Sequence, residues 1–274
     1  MRVVRLGCVD DPGFADRDHY RVIGDHRELL AQGLFVAEGR LVVERLIEQE
    51  FTIRSFLLNE AAFRALGSAC ARLGDQVTAF VCGNHEFERL TGYDIHRGCL
   101  ALALRPAPPT LDALIAEARS LVCLEDVANA DNVGGVFRNA AAFGADGVVL
   151  SRGCADPLYR KTIRTSMAST LRVPFLIADA DQSWRAALAR VRAAGFQTIA
   201  LTPHASAIAL DALARNLRAD RFALLVGAEG PGLTAESLAA ADVCVRIPIR
   251  TEVDSLNVSV ATGIALHRLL GVTR

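Results

Sequence analysis

Short apolar runs alternate with amphipathic stretches along most of the chain, and the alternation changes scale at one point. Residues 1–34 are polar and irregular, with a short helix near 20–32. Leu34-Phe35-Val36 then leads into a helical pattern from Gly39 to Glu48. Ser55-Phe56-Leu57-Leu58 reads as a strand, 60–73 as a helix, Val77–Val81 as a strand and 85–91 as a short helix. Cys99–Leu104 closes the set as a strand, which predicts a small α/β module of roughly 70–100 residues.

Arg105-Pro106-Ala107-Pro108-Pro109-Thr110 places three prolines in four positions. No continuing helix or central strand tolerates that, so a domain boundary falls there, dividing residues 1–105 from 106–274. Beyond it the elements lengthen. Strands are predicted at 120–124, 147–151, 197–202, 222–226 and 244–248, with helices near 133–144, 158–170, 181–194, 234–240 and 256–270. Strands alternating with helices of this length imply a parallel sheet covered on both faces.

Composition narrows the class. Half of the 274 residues are apolar and the mean hydropathy is +0.27, enough for packed cores and contrary to disorder. The net charge of −1 argues against a protein that coats nucleic acid non-specifically, but leaves room for one local basic patch. Positive charge is almost all arginine, with Lys161 the one lysine. A G- and C-rich genome yields this without selection on function, yet the guanidinium fork keeps its capacity for phosphate. Cys8, Cys70, Cys82, Cys99, Cys123, Cys154 and Cys244 show no CxxC spacing, which favours buried, reduced thiols over a metal site or disulfide framework. The chain lacks a signal-like start and any run of 18 apolar residues, so a cytoplasmic protein with no membrane span is expected.

Three segments carry candidate chemistry. In Leu124-Glu125-Asp126-Val127-Ala128-Asn129-Ala130-Asp131-Asn132-Val133-Gly134-Gly135-Val136-Phe137-Arg138 a strand ends in a polar loop and a glycine pair opens a helix. Read alone, Asn132 serves as an N-cap and Arg138 as a solvated helix residue. In Leu225-Val226-Gly227-Ala228-Glu229-Gly230-Pro231-Gly232 three glycines and a proline bend a loop whose backbone is open to a ligand, or simply make a tight turn. In Val245-Arg246-Ile247-Pro248-Ile249-Arg250 through Ser255-Leu256-Asn257-Val258-Ser259, Ser255 caps a terminal helix with an apolar stripe of Val258, Ala261, Ala265 and Leu269.

In order and spacing these segments resemble the motifs of the SpoU (TrmH-like) RNA 2′-O-ribose methyltransferases of the SPOUT superfamily. The resemblance covers about 120–271 and rests on the Asn132…Arg138 pair, the Gly227-Ala228-Glu229-Gly230 loop and the run Ser255-Leu256-Asn257-Val258-Ser259-Val260-Ala261. The first hundred residues are similar, through Phe35-Val36-Ala37-Glu38-Gly39 and His96-Arg97-Gly98, to the substrate-binding domain often attached to that family.

The resemblance implies a trefoil-knotted parallel α/β methyltransferase domain, preceded by a small α/β RNA-binding domain and working as a homodimer. It implies S-adenosylmethionine as methyl donor, held by Gly227, Ile247 and Leu256, with Thr202 at its strand end as a further contact, and no metal. Arg138, Asn132, Glu229, Ser255 and Asn257 become the catalytic set: Arg138 on phosphate and oxyanion, the asparagines and Ser255 orienting groups and handling a proton, Glu229 fixing Arg138 or Asn132. Arg160, Lys161 and Arg164, at helical spacing, are candidate RNA phosphate contacts or a solvated face. Ribosomal RNA is favoured over transfer RNA. The competing readings are a non-catalytic RNA- or ribosome-binding protein on this fold and a base methyltransferase of the same superfamily. Ile249 stands where methionine is usual, and Ala168 where many members have glycine.

Overall fold

The structure, a computed structural model, describes all residues except 92–97, 179–182, 217–219, 251 and 272–274. His96 and Arg97 therefore lie outside the described residues. The chain divides into two units: residues 1–107 with 158–171, and residues 108–157 with 172–274. Residues 158–171, which a boundary at 105/106 leaves with the second domain, group with the first.

The first unit runs β1 (Arg2–Arg5), α1 (Arg17–Arg21), α2 (His26–Ala31), β2 (Leu34–Glu38), α3 (Arg40–Glu48), β3 (Ile53–Leu58), α4 (Glu60–Ala65), α5 (Gly67–Cys70), β4 (Thr78–Val81), α6 (Asn84–Thr91) and β5 (Cys99–Leu104). Its sheet has the order β1-β4-β3-β5-β2, with β5 antiparallel to both β3 and β2. The helix expected over 60–73 is split at Leu66 into α4 and α5. Tyr20, Leu57, Phe80, Leu100 and Leu102 fill one core face, where the Tyr20 and Ser55 hydroxyls share a buried hydrogen bond of 3.2 Å. Burial pushes the Tyr20 phenol well above its ordinary range.

The second unit continues with α7 (Leu111–Glu117), β6 (Ser120–Glu125), α8 (Ala130–Phe143) and β7 (Gly147–Leu150). The chain then supplies α9 (Arg160–Thr165) and a 3₁₀ turn at Ser169–Leu171 to the first unit. It returns with β8 (Phe175–Ile177), α10 (Trp184–Ala193), β9 (Gln197–Leu201), β10 (Ile208–Ala209), α11 (Leu210–Asn216), β11 (Phe222–Gly227), α12 (Ala235–Ala240), β12 (Val243–Arg246) and α13 (Val258–Leu270). The helix expected over 158–170 stops early because Met167 and Ala168 adopt left-handed backbone, φ +52° and +66°. Ala168 occupies that conformation without being glycine.

All seven strands of the second sheet are parallel, in the order β10-β12-β9-β11-β6-β7-β8. Both faces are covered, as the apolar runs predict. Val122, Leu124, Leu224 and Val226 pack with α8 and α13, while Leu121, Cys123, Ala223 and Leu225 pack with α7, α10 and α12. Two strands are pinned at their starts in the same manner. Asp146 accepts from the Ser120 amide and hydroxyl, at 2.8 and 2.9 Å, and Asp242 from the Thr198 amide and hydroxyl, at 2.9 and 2.8 Å.

On α13 the apolar stripe divides its work. Val258 and Ala265 enter the core with Leu266, and Leu269 packs partly against it. Val260 and Ile264, one turn apart, are left 50% and 37% exposed. Helices α8 and α13 pack closely because Gly135 has no side chain: a Cβ there would lie 2.7 Å from the Ser259 Cβ.

Candidate active site

Ligand sites in open parallel sheets form beyond the carboxyl ends of the strands. Here β12, β9, β11 and β6 are neighbours in that order; β6, β11 and β12 each run into one of the three segments singled out by sequence, and β9 runs into Thr202. Glu125 pairs with Gly227 across β6 and β11. Continuing the register of Leu225 with Ala200 sets Gly227 beside Thr202, whose amide donates to Val245 O of β12 at 2.9 Å. Thr202, Gly227 and Ile247 thus stand at the carboxyl ends of three adjacent strands, Gly227 as the last residue of β11 and the other two just beyond β9 and β12. Ile247 is half-buried against the core, and Leu256, also half-buried, lies two residues before α13.

The β11 loop turns tightly. The Gly232 amide donates to Ala228 O at 3.0 Å, and Gly230 and Gly232 take φ values of +85° and +73°. A Cβ on Gly227 would lie 2.2 Å from the Gly232 carbonyl carbon and the Leu233 nitrogen, so only glycine fits. Glu229 sits exposed near the tip.

Asn257 gathers the three segments. Its Oδ1 accepts from the Ser259 and Val260 amides, at 3.0 and 3.3 Å, making it the N-cap of α13. That leaves Nδ2 facing outward, where it donates to Asn132 Oδ1 and to Glu229 Oε1, each at 2.9 Å. Asn132 is buried in the first turn of α8.

Several sequence expectations are corrected by this geometry. Asn132 is no cap, because Asn129 caps α8 by accepting from the Asp131 amide at 2.8 Å. Ser255 does not cap α13 either, since Asn257 holds that position. It is exposed and makes no hydrogen bond among the described residues. Glu229 binds Asn257 rather than Arg138 or Asn132. Arg138 is exposed and, among the described residues, makes no hydrogen bond to the asparagine–glutamate set. It lines an open groove of about 720 Å³ between α8 and α13, with Gly135, Asn139, Val260, Gly263 and Ile264.

Of the candidate RNA contacts, Arg160 and Arg164 both belong to the first unit and both pair with the buried Glu38, Arg164 at 3.5 Å. Lys161 follows Arg160 on the same helix. Among the described residues no group of three or more His, Cys, Asp or Glu is placed to hold a metal, and no helix is long and apolar enough to cross a membrane. All seven cysteines are unpaired. Burial pushes the Cys82, Cys99 and Cys123 thiols up to about 12 and also raises Cys70 and Cys154, whereas Cys8 is exposed.

One residue escaped the sequence reading. Glu125, quoted only within the first segment and one residue beyond the predicted strand 120–124, is buried and accepts hydrogen bonds from Thr234 and Ser237. Its partners lie 109 and 112 positions away, so no local pattern could have exposed it.

A wholly parallel sheet with three polar loops gathered at neighbouring carboxyl ends defines an α/β enzyme with a strand-end ligand site. Residues 119–267 match the SpoU rRNA Methylase family, and the chain belongs to it. It is 39% identical over 260 residues to an uncharacterized tRNA/rRNA methyltransferase of Mycobacterium bovis, covering 94% of this chain and 88% of the relative. It is 24% identical over 246 residues to the 23S rRNA (guanosine(2553)-2′-O)-methyltransferase of Bacillus subtilis, covering 89% and 92%. Among solved structures, the AdoMet-bound rRNA methyltransferase of Sinorhizobium meliloti shares the fold with a TM-score of 0.80 at 24% identity, over 97% of both chains. An RNA 2′-O ribose methyltransferase aligns with a TM-score of 0.74 at 26% identity, over 97% of this chain and 98% of its own.

Proposed function

We propose that this chain transfers the methyl group of S-adenosylmethionine to a ribose 2′-hydroxyl of RNA, with ribosomal RNA the favoured substrate. The observation that carries the reading is the joining of Asn132, Glu229 and Asn257 through one amide, which unites the three segments of the family's pattern. Ribosomal RNA is favoured by the Bacillus subtilis relative, matched over most of both chains.

The strand-end loops suit the donor. Thr202, Gly227, Ile247 and Leu256 would hold it, largely through backbone groups, on a loop that Gly227 keeps free of side chain at its root. When bound, S-adenosylmethionine supplies a methyl group activated by its sulfonium. The chain's residues have to hold the ribose oxygen close, at roughly 3–3.5 Å, and manage its proton. A guanidinium is a poor proton acceptor, so Arg138 acts by binding the neighbouring phosphate and stabilising developing oxyanion charge. Asn132 and Asn257 orient the ribose, Glu229 fixes Asn257, and the exposed Ser255 hydroxyl holds or relays the proton.

The α8–α13 groove is the surface assigned to homodimer formation. Val260 and Ile264 offer exposed apolar contact there, and Arg138 lines the same groove. The first unit is assigned to RNA binding, with Lys161 and the Arg160–Arg164 pair meeting phosphates that compete with Glu38.

The test is to incubate the pure protein with total RNA and methyl-tritiated S-adenosylmethionine, then hydrolyse in alkali. A 2′-O-methyl group blocks cleavage at its 3′ phosphodiester, so label is expected in alkali-resistant dinucleotides. Label confined to a methylated base would refute the ribose assignment, and no label at all would favour a binding protein.

A further inference from the structure

Glu125 is a buried carboxylate for which the proposed reaction has no direct use. It ends β6, is 4% exposed and lies opposite Gly227. Its partners come from the end of the β11 loop and the first turn of α12. Oε2 accepts from the Thr234 amide at 3.1 Å, and Oε1 accepts from the Thr234 and Ser237 hydroxyls, each at 2.9 Å. Ser237 Oγ in turn accepts from the Trp184 indole N–H at 3.1 Å, and Trp184 is the single tryptophan of the chain.

A buried carboxylate is costly unless its oxygens are hydrogen-bonded, so Glu125 constrains where Thr234 sits. The loop is then held at both roots. β11 and the Ala228–Gly232 hydrogen bond fix the outgoing limb, and Glu125 fixes the return. Glu229, the partner of Asn257, lies between them.

We infer that Glu125 is a positioning residue for S-adenosylmethionine: it anchors the return limb of residues 228–234 so that the loop's peptide groups meet the donor. This rests on the reading of that loop as a donor site. The anchor reaches Trp184 through Ser237, so the tryptophan reports on the loop's state. A carboxylate that served only the stability of α12 would lower the thermal midpoint and leave the affinity of the folded protein unchanged.

The test is calorimetric titration of the full chain with S-adenosylmethionine, with Trp184 emission followed in parallel, for the wild type, Glu125→Gln, Thr234→Val and Thr234→Ser. Glutamine keeps the shape of Glu125 but brings an N–H into a site whose three neighbours all donate. Folded Glu125→Gln is expected to bind the donor about tenfold more weakly, with a diminished emission response. In turnover the loss falls on KM for the donor more than on kcat. Thr234→Val keeps the amide contact but loses the hydroxyl's bond to Glu125 together with its cap on the Ser237 amide of α12; it is expected to weaken binding about threefold, and Thr234→Ser, which keeps both, to restore it. The threonine pair decides the matter where Glu125→Gln does not fold. Wild-type affinity and emission response in folded Glu125→Gln, or in Thr234→Val, overturn the inference. A wild type that fails to bind the donor overturns the functional reading itself.

Discussion

The Asn257 side-chain amide donates to Asn132 Oδ1 at 2.9 Å across 125 positions of sequence. Its other end caps α13, so one residue starts a helix and ties that helix to the first turn of α8. The capping role fixes which way the amide points, and the outward Nδ2 is thereby held ready for Asn132 and Glu229. A structural bond thus sets the geometry of the candidate site.

Asn257→Asp separates the two roles. Aspartate caps a helix as well as asparagine does, so the fold and thermal midpoint should change little. The donor to Asn132 is lost, and a carboxylate is placed against Glu229. Methyl transfer is expected to fall by about 100-fold, the scale of a small misplacement at a reacting centre. Single-turnover kinetics on the mapped RNA measure this, and wild-type kcat/KM in the variant would remove the joined amides from the site.

Arg138→Lys tests the electrostatic role. Arg138 is exposed, so the substitution should alter stability by no more than about 0.5 kcal/mol. Lysine keeps the charge but lacks the planar fork that grips phosphate in two places. Turnover at saturating RNA and donor is expected to drop by about 100-fold, in line with loss of one preorganised oxyanion contact. Near-normal turnover would contradict the account.

Legibility followed burial and locality. The strands β6, β7, β9, β11 and β12 were readable because apolar runs buried on both faces leave no other solution in a parallel sheet. β1 was not, because Arg2–Arg5 is an exposed edge strand of two valines between arginines. β8 and β10, of three and two residues, are held by neighbours rather than by their own pattern. α7 carries a local signal of its own, absent from the elements predicted above: Thr110 caps it, and Leu111, Leu114 and Ile115 form its buried face. At the site, Asn132, Gly227, Glu229 and Asn257 could be named from the family pattern, yet not their pairing. Ser255 and Asn257 are both good caps by type, and only the chain path decides between them. The partners of Glu125 lie beyond any local window.

Asp242 predicts a pH dependence. Burial works to raise its carboxyl, but the Thr198 amide and hydroxyl and the Arg192 guanidinium at 2.6 Å outweigh that and hold it below the ordinary carboxylate range. The unfolded chain therefore takes up the proton first. The stabilisation is fully present above about pH 4, the unfolded value, and is lost as pH falls through the lower folded value. Solvent screens this exposed residue, so Asp242→Asn is expected to cost about 0.5–1 kcal/mol at pH 7. Urea unfolding of both proteins from pH 7 to pH 2 should show the difference closing on the acid side. A constant difference across that range would show that the carboxylate's charge is not what pins β9.

Ile264→Glu tests the α8–α13 groove as the subunit contact. Ile264 is 37% exposed on the face of α13 that carries Val260, and the core of that helix is built from Val258, Ala265 and Leu266 instead. A glutamate there points into water in a single chain and costs little. At a self-complementary interface the same substitution is met twice, each carboxylate being buried against apolar surface or the other copy. The wild type is expected to sediment as a dimer and the variant as a monomer, with unchanged far-ultraviolet circular dichroism. Because Arg138 lines the same groove, methyl transfer should fall with the dimer and recover as variant concentration is raised. A variant that stays dimeric, or a monomer of full activity, would detach the groove from both assembly and catalysis.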